Sequence, residues 1–176
     1  MKRTIALAFA LAAAMSFAAA AQARPSTGGP FGGGWNHRSA DVTFTKWVTS
    51  LPADPSTLAG VSMAGVVGGD VGPGVYVGKV LRDDTTSKPG FWLAQALYGF
   101  SGSQHSFLAY NFITENDTAS PVTATIRGVV IAGWMIGARV TGEYTQLDPC
   151  PIPTPGNVFG TVCFQGTLHL ELGFGH

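Results

Sequence analysis

The polar side chains near the end of the chain are the residues whose types could most readily take part in catalysis or binding. His169 and Glu171 fall on one face of a predicted final strand, beside Gln165 and Thr167. A histidine can act as a general base and a glutamate can orient it when the two are within hydrogen-bond reach. Residues two apart on a strand lie roughly 7 Å apart, so this pair needs a bent strand or a third residue. A solvated polar face explains the same pattern, and we favour that interpretation.

Three further residues are candidates for binding a ligand. Arg127 lies in a predicted hairpin over residues 126–144, where a position inside a barrel would suit an anionic ligand. Cross-strand or surface ion pairing explains the same arginine. Trp134 and Tyr110 either line an apolar pocket or fill the core. The candidate ligand-binding residues are therefore Arg127, His169, Glu171, Trp134 and Tyr110; no catalytic residue is assigned.

The two cysteines, Cys150 and Cys163, predict a disulfide. Their loop is rich in proline, and closing a loop of that size contributes about 3 kcal/mol by loop-closure entropy. A metal site is the weaker alternative, because two cysteines without a nearby histidine pair do not make a zinc site. The sequence lacks a Ser-His-Asp order, a P-loop, a Gly-x-Ser-x-Gly motif and an HExxH motif. We predict neither a metal nor a cofactor.

The first 23 residues predict a cleavable secretory signal peptide of bacterial type. Lys2 and Arg3 precede an uncharged, alanine-rich run that ends in Ala21-Gln22-Ala23, a small-x-small cleavage site. A retained membrane anchor is the less favoured alternative. Residues 24–39 predict a flexible arm rich in glycine and proline, and residues 40–176 predict a single domain. We therefore expect a secreted or periplasmic protein, in which the cysteines meet an oxidising environment.

Strand patterns dominate the rest of the chain and predict an all-β fold. About eight β-rich segments are separated by turn signals, which favours a small antiparallel β-barrel over a β-sandwich. The last segment is predicted as one long strand, Val158 to Leu172. Residues 122–144 predict a tight hairpin at Ala132-Gly133 in which Ile131 pairs with Trp134. That register gathers one apolar face from Val129, Ile131, Trp134, Ile136, Ala138 and Val140.

Four segments carry a resemblance to a known superfamily: VVGGDVGPGVYVGKVL (Val66 to Leu81), HSFLAYNFI (His105 to Ile113), IRGVVIAGWMIGARVTGEYT (Ile126 to Thr145) and CFQGTLHLEL (Cys163 to Leu172). In these loose motifs the chain resembles a diverged allene oxide cyclase/dirigent-like barrel. The resemblance implies eight antiparallel strands around an apolar cavity. Plant members catalyse or steer cyclisation of apolar substrates, but no catalytic residue of the family can be matched to this chain.

Composition narrows the function classes. The formal net charge is zero and 11% of the residues are charged, so a nucleic-acid partner is not expected. The favoured hypothesis is an exported barrel that binds a small apolar ligand or a partner surface. The alternative is an isomerase or cyclase acting in an apolar cavity, where shape and a few hydrogen bonds count for more than a strong nucleophile. Stable membrane insertion as an outer-membrane barrel is disfavoured, and the oligomeric state stays open.

Overall fold

In a computed structural model of the chain, residues 38–173 are described, and they form a closed antiparallel barrel of eight strands. Each strand pairs with its neighbours in sequence, and β1 closes the barrel by pairing with β8. None of the described residues forms a helix long and apolar enough to cross a membrane. The strands are β1 Arg38–Ser50, β2 Ser62–Gly69, β3 Gly74–Asp84, β4 Phe91–Gly102, β5 Ser106–Asn116, β6 Thr123–Gly133, β7 Arg139–Leu147 and β8 Cys163–Leu172.

The alternation of apolar and polar residues explains the barrel. Side chains on a strand point to opposite faces in turn, so one parity of each strand faces the interior. On β1 the inward parity includes Val42, Phe44 and Val48, and on β4 it includes Tyr98 and Phe100, all of which are buried. Closure of the sheet leaves no edge strand among residues 38–173. The predicted fold class is confirmed.

The two ends of the barrel differ in the length of their connections. Short connections at 70–73, 103–105 and 134–138 form what we call the turn end. The longer connections at 51–61, 85–90, 117–122 and 148–162 form the loop end. Long connections of this kind are usually the more mobile and variable parts of a fold.

Two contacts hold the loops of the loop end to the barrel wall. The carboxylate of Asp83 accepts hydrogen bonds from the Thr57 hydroxyl and from the backbone amides of Leu58 and Ala59. The predicted disulfide joins Cys150 to Cys163, with their Cα atoms 5.4 Å apart. These links tie residues 51–61 and 148–162 to neighbouring strands.

Several predicted boundaries differ from the structure. The signal peptide and most of the predicted arm lie outside the described residues, and β1 begins at Arg38, two residues before the predicted start of the domain. The last strand begins at Cys163 rather than at Val158. The segment from Val158 to Val162 turns instead, within the loop that the disulfide between Cys150 and Cys163 closes.

The predicted register of the β6–β7 hairpin is wrong. Val129 pairs with Arg139 and Arg127 with Thr141, a shift of three positions from the expected pairing. Residues 134–138 form a wide turn in which Met135 and Gly137 have positive φ angles. An odd shift exchanges the two faces of a strand. As a result Val129 and Ile131 point outward and are exposed, whereas Ile126, Val130 and Val140 are buried. Within the turn, Ile136 is exposed and Ala138 is buried.

Candidate functional site

The predicted polar candidates lie on the outside of the barrel. His169 points outward from β8, with its Nδ1 atom 2.8 Å from Oδ1 of Asp41 on β1. One Glu171 oxygen accepts a 2.6 Å hydrogen bond from the Arg139 guanidinium. Both contacts bridge neighbouring strands at the surface, where such pairs contribute little to stability. His169 and Glu171 thus have separate partners.

The aromatic candidates lie apart from that pair. The indole of Trp134 stacks on the His105 ring at the turn end, with a centroid distance of 4.0 Å. The Tyr110 hydroxyl donates a 2.7 Å hydrogen bond to Oε1 of Gln95. Arg127 is exposed on β6, and its register partner on β5 is Phe112, two residues from Tyr110. Of the five predicted residues, Tyr110 and Arg127 therefore share an outer surface.

Aromatic rings pack much of the barrel interior. Phe100 stacks on Phe107 with a centroid distance of 4.6 Å, and Tyr76 meets Tyr98 edge-on at 5.2 Å. Phe44 packs beside Tyr76 at 5.9 Å. Such ring pairs stabilise a core beyond the area that they bury. This part of the interior is a packed core rather than a ligand cavity.

A buried lysine interrupts the apolar interior towards the loop end. Lys46 on β1 is only 2% exposed, and its Nζ atom donates a 2.7 Å hydrogen bond to the Tyr98 hydroxyl. The same atom lies 3.9 Å from the ring centre of Tyr144 and 4.8 Å from that of Tyr98. The rings of Phe164 and Phe44 follow at 5.7 and 6.0 Å.

Glu115 completes this group near the end of β5. It is half-buried, and its Oε2 atom accepts a short hydrogen bond from the Tyr144 hydroxyl. Glu115 and Tyr144 come together because both pair with Ala124, on opposite sides of β6. We call Lys46, Tyr98, Tyr144 and Glu115 the lysine cluster.

The environment of the lysine cluster disfavours charge. Burial lowers the pKa of Lys46 to about 7, although the nearby Glu115 carboxylate acts in the opposite direction. Burial also raises the pKa of Glu115, a shift opposed by the hydrogen bond from Tyr144 and by the positive charge of Lys46. The pKa values of the Tyr98 and Tyr144 hydroxyls are raised, chiefly by burial. A titratable group whose pKa lies near neutrality inside a protein is a recognised sign of a functional site.

Sequence reasoning missed the lysine cluster, although one signal was present. Lys46 has the same parity on β1 as Val42, Phe44 and Val48, so it occupies an inward position. A lysine at such a position is rarely buried unless it is paired or has a function. Its partners come from β4, β5 and β7, and only barrel closure brings them together.

A second candidate site is an apolar surface on the outside of β3 to β6. Residues paired in register across neighbouring strands form rows on this surface. One row consists of Val77, Gly99, Leu108 and Ala132, and the next consists of Leu97, Tyr110 and Val129. Val75, Val77 and Phe112 are 58, 54 and 53% exposed. Contiguous exposed apolar surface of this kind marks interaction sites. We call this surface the outer apolar face: Val75, Val77, Leu97, Leu108, Tyr110, Phe112, Val129 and Ile131.

Positive charge borders the outer apolar face. Lys79 pairs with Leu97. In the next row, Phe112 pairs with Arg127 on one side and with Gln95 on the other. Gln95 in turn pairs with Arg82. Among the described residues, the outward positions of these rows on β3 to β6 hold no carboxylate. The face therefore combines apolar side chains with a border of three basic residues, and Asp84 lies one row beyond Arg82 on β3.

Comparison with known proteins yields no relative: no protein-family model, curated protein or solved structure matches the chain significantly. Within residues 38–173, no group of three or more histidine, cysteine, aspartate or glutamate side chains is placed to hold a metal ion.

Proposed function

We propose that this chain is an exported barrel protein that binds an apolar ligand or the apolar surface of a partner through its outer apolar face. The observation that carries the proposal is the distribution of apolar residues: rings pack the interior, while valines and a phenylalanine stand exposed on neighbouring strands. Export is supported by the leader-like residues 1–23 and by the disulfide, which suits an oxidising compartment.

The charge pattern narrows the chemistry of the ligand. An apolar molecule with an anionic group can place its body on Val77 and Val129 and its charge near Lys79 or Arg127. Electrostatic attraction would speed association and weaken as salt is added. The predicted roles of Arg127 and Tyr110 in ligand binding are kept in this proposal, at the outer surface rather than in a cavity.

The test uses 8-anilinonaphthalene-1-sulfonate, an apolar anion that fluoresces when it leaves water. We expect it to bind the purified protein, and the double variant Val77→Thr/Val129→Thr to bind it more weakly. Each lost valine contact is worth about 1 kcal/mol, or about fivefold in Kd. Val158→Thr is the matched control, because Val158 is exposed on the loop at 148–162. Equal dye binding by the double variant and the control would contradict the proposal.

A second candidate function is the isomerase or cyclase suggested by the resemblance to the allene oxide cyclase/dirigent-like superfamily. The lysine cluster favours it, because an amine with a pKa of about 7 beside a carboxyl group can exchange protons near neutral pH. The test is incubation with unsaturated epoxides and ketones, followed by chromatography of the products. Product mixtures identical to those from Lys46→Met would count against this candidate.

A further inference from the structure

The amine of Lys46 has an unusual environment for a buried cation. Its Nζ atom donates a hydrogen bond to the Tyr98 hydroxyl, and no carboxylate within residues 38–173 forms a salt bridge with it. Aromatic faces surround the rest of the atom. We propose that Lys46 is a reactive amine that condenses with small apolar aldehydes. This activity goes beyond the binding function of the outer apolar face.

The geometry of the lysine cluster suits a nucleophilic amine. A lysine held in an apolar pocket keeps its lone pair available, and such lysines form Schiff bases in enzymes. The hydrogen bond of 2.7 Å to Tyr98 fixes the position of Nζ without supplying a negative charge. The ring of Tyr144, 3.9 Å away, would face the positive charge of the iminium product.

The condensation balances with groups that the cluster supplies. The Nζ lone pair attacks the carbonyl carbon, and a proton moves from nitrogen to oxygen to give a carbinolamine. The nitrogen lone pair then expels the hydroxyl group as water, with a proton from the carboxyl group of Glu115. The products are water, a protonated imine on Lys46 and the Glu115 carboxylate. Burial raises the pKa of the Glu115 carboxyl group and so favours the form that donates this proton.

The surroundings also limit the class of aldehyde. The walls near Nζ are the rings of Phe44, Tyr98, Tyr144 and Phe164, so an apolar substituent is favoured over a charged one. Phe164 and Trp92 are half-buried and pack against the core. Because these rings are buried or half-buried around the amine, the proposal is confined to small aldehydes.

The chain offers two matched controls for lysine reactivity. Lys79 and Lys88 are exposed, and Lys88 lies over the face of Phe91, with 3.6 Å from Nζ to the ring centre. At pH 7 about half of the Lys46 amine is neutral if its pKa is about 7. An ordinary lysine is neutral in only about one molecule in 2,500 at that pH.

The experiment is reductive trapping of propanal with cyanoborohydride at pH 7 on the purified protein, followed by peptide mass mapping. We expect Lys46 to gain a propyl group about tenfold faster than Lys79 or Lys88, with burial offsetting part of the larger neutral fraction. Its rate should level off above pH 7, whereas the rates at the two exposed lysines should keep rising towards pH 10. Tyr98→Phe keeps the amine and should alter the rate at Lys46 alone.

Three results would overturn the proposal. One is modification of Lys79 and Lys88 with Lys46 unmodified, provided that the urea-unfolded chain is labelled at all three positions. Another is a rate of propylation at Lys46 that keeps rising with pH in parallel with the rates at the exposed lysines. The last is a rate of propylation at Lys46 that rises as urea is added below the unfolding midpoint. Such a rise would show that the amine reacts only in unfolded molecules.

Discussion

Replacing Lys46 with methionine should change how the stability of the protein depends on pH. Methionine has a similar length and no charge, so it removes the titration while filling much of the same space. In the folded protein the pKa of Lys46 is lowered to about 7, whereas in the unfolded chain it returns to about 10.4. Between these values the unfolded state binds more protons, so the free energy of unfolding of the unmodified protein should rise with pH.

The magnitude follows from the two pKa values. At pH 7 the amine is almost fully protonated in the unfolded chain and about half protonated in the folded one. At pH 9 it is still largely protonated in the unfolded chain and almost wholly neutral in the folded one. The proton linkage between these pH values amounts to about 2 kcal/mol in favour of the folded state. The methionine variant lacks this gain, so its stability relative to the unmodified protein should fall by that amount.

The measurement is urea unfolding followed by tryptophan fluorescence at several pH values from 7 to 9, with the disulfide intact. Ionisable groups that do not interact with Lys46 are common to both proteins, so their contributions cancel in the difference. Glu115 is the exception, because its pKa responds to Lys46. The same comparison in a Glu115→Gln background isolates the lysine. A difference in stability that stays constant from pH 7 to 9 in both backgrounds would show that Lys46 titrates normally.

Two further predictions concern the frame around the site. The variant Cys150→Ala/Cys163→Ala should lose about 3 kcal/mol of unfolding free energy. The fluorescence of Trp47 should shift to the red, because its indole donates a hydrogen bond to the Pro155 carbonyl within the loop that the disulfide closes. If reductant left the stability and the fluorescence of the unmodified protein unchanged, this prediction would be contradicted. Gly128→Ala should cost about 1–3 kcal/mol by overpacking, because its Cβ would lie 2.3 Å from the Tyr110 carbonyl oxygen, whereas Gly173→Ala, with open space around it, should be neutral in the same urea assay.

Much of the fold could be predicted from local pattern. Each barrel strand overlaps a predicted β-rich segment, because alternation of polarity is encoded within a single strand. The boundaries failed where a longer-range constraint acts. The disulfide loop shortens the last strand to Cys163–Leu172, and polarity within that segment does not reveal the loop.

The hairpin between β6 and β7 shows why register was harder to predict. Pairing Ile131 with Trp134 gathers an apolar face that looks like a core face. The structure instead uses a wide turn with positive φ at Gly133, Met135 and Gly137, and the exposed Val129 and Ile131 join an outer surface. Apolar side chains occur on both faces of β6, so polarity alone could not decide which face is buried.

The sequence by itself determined the all-β class and the disulfide partners, since each depends on residue types that are near in sequence or few in number. Only the tertiary structure decided that His169 and Glu171 have separate surface partners and that Lys46, Tyr98, Glu115 and Tyr144 meet inside the barrel. The physical reason is that these groups lie on different strands. Their distances depend on barrel closure and register, which arise from the packing of the whole sheet.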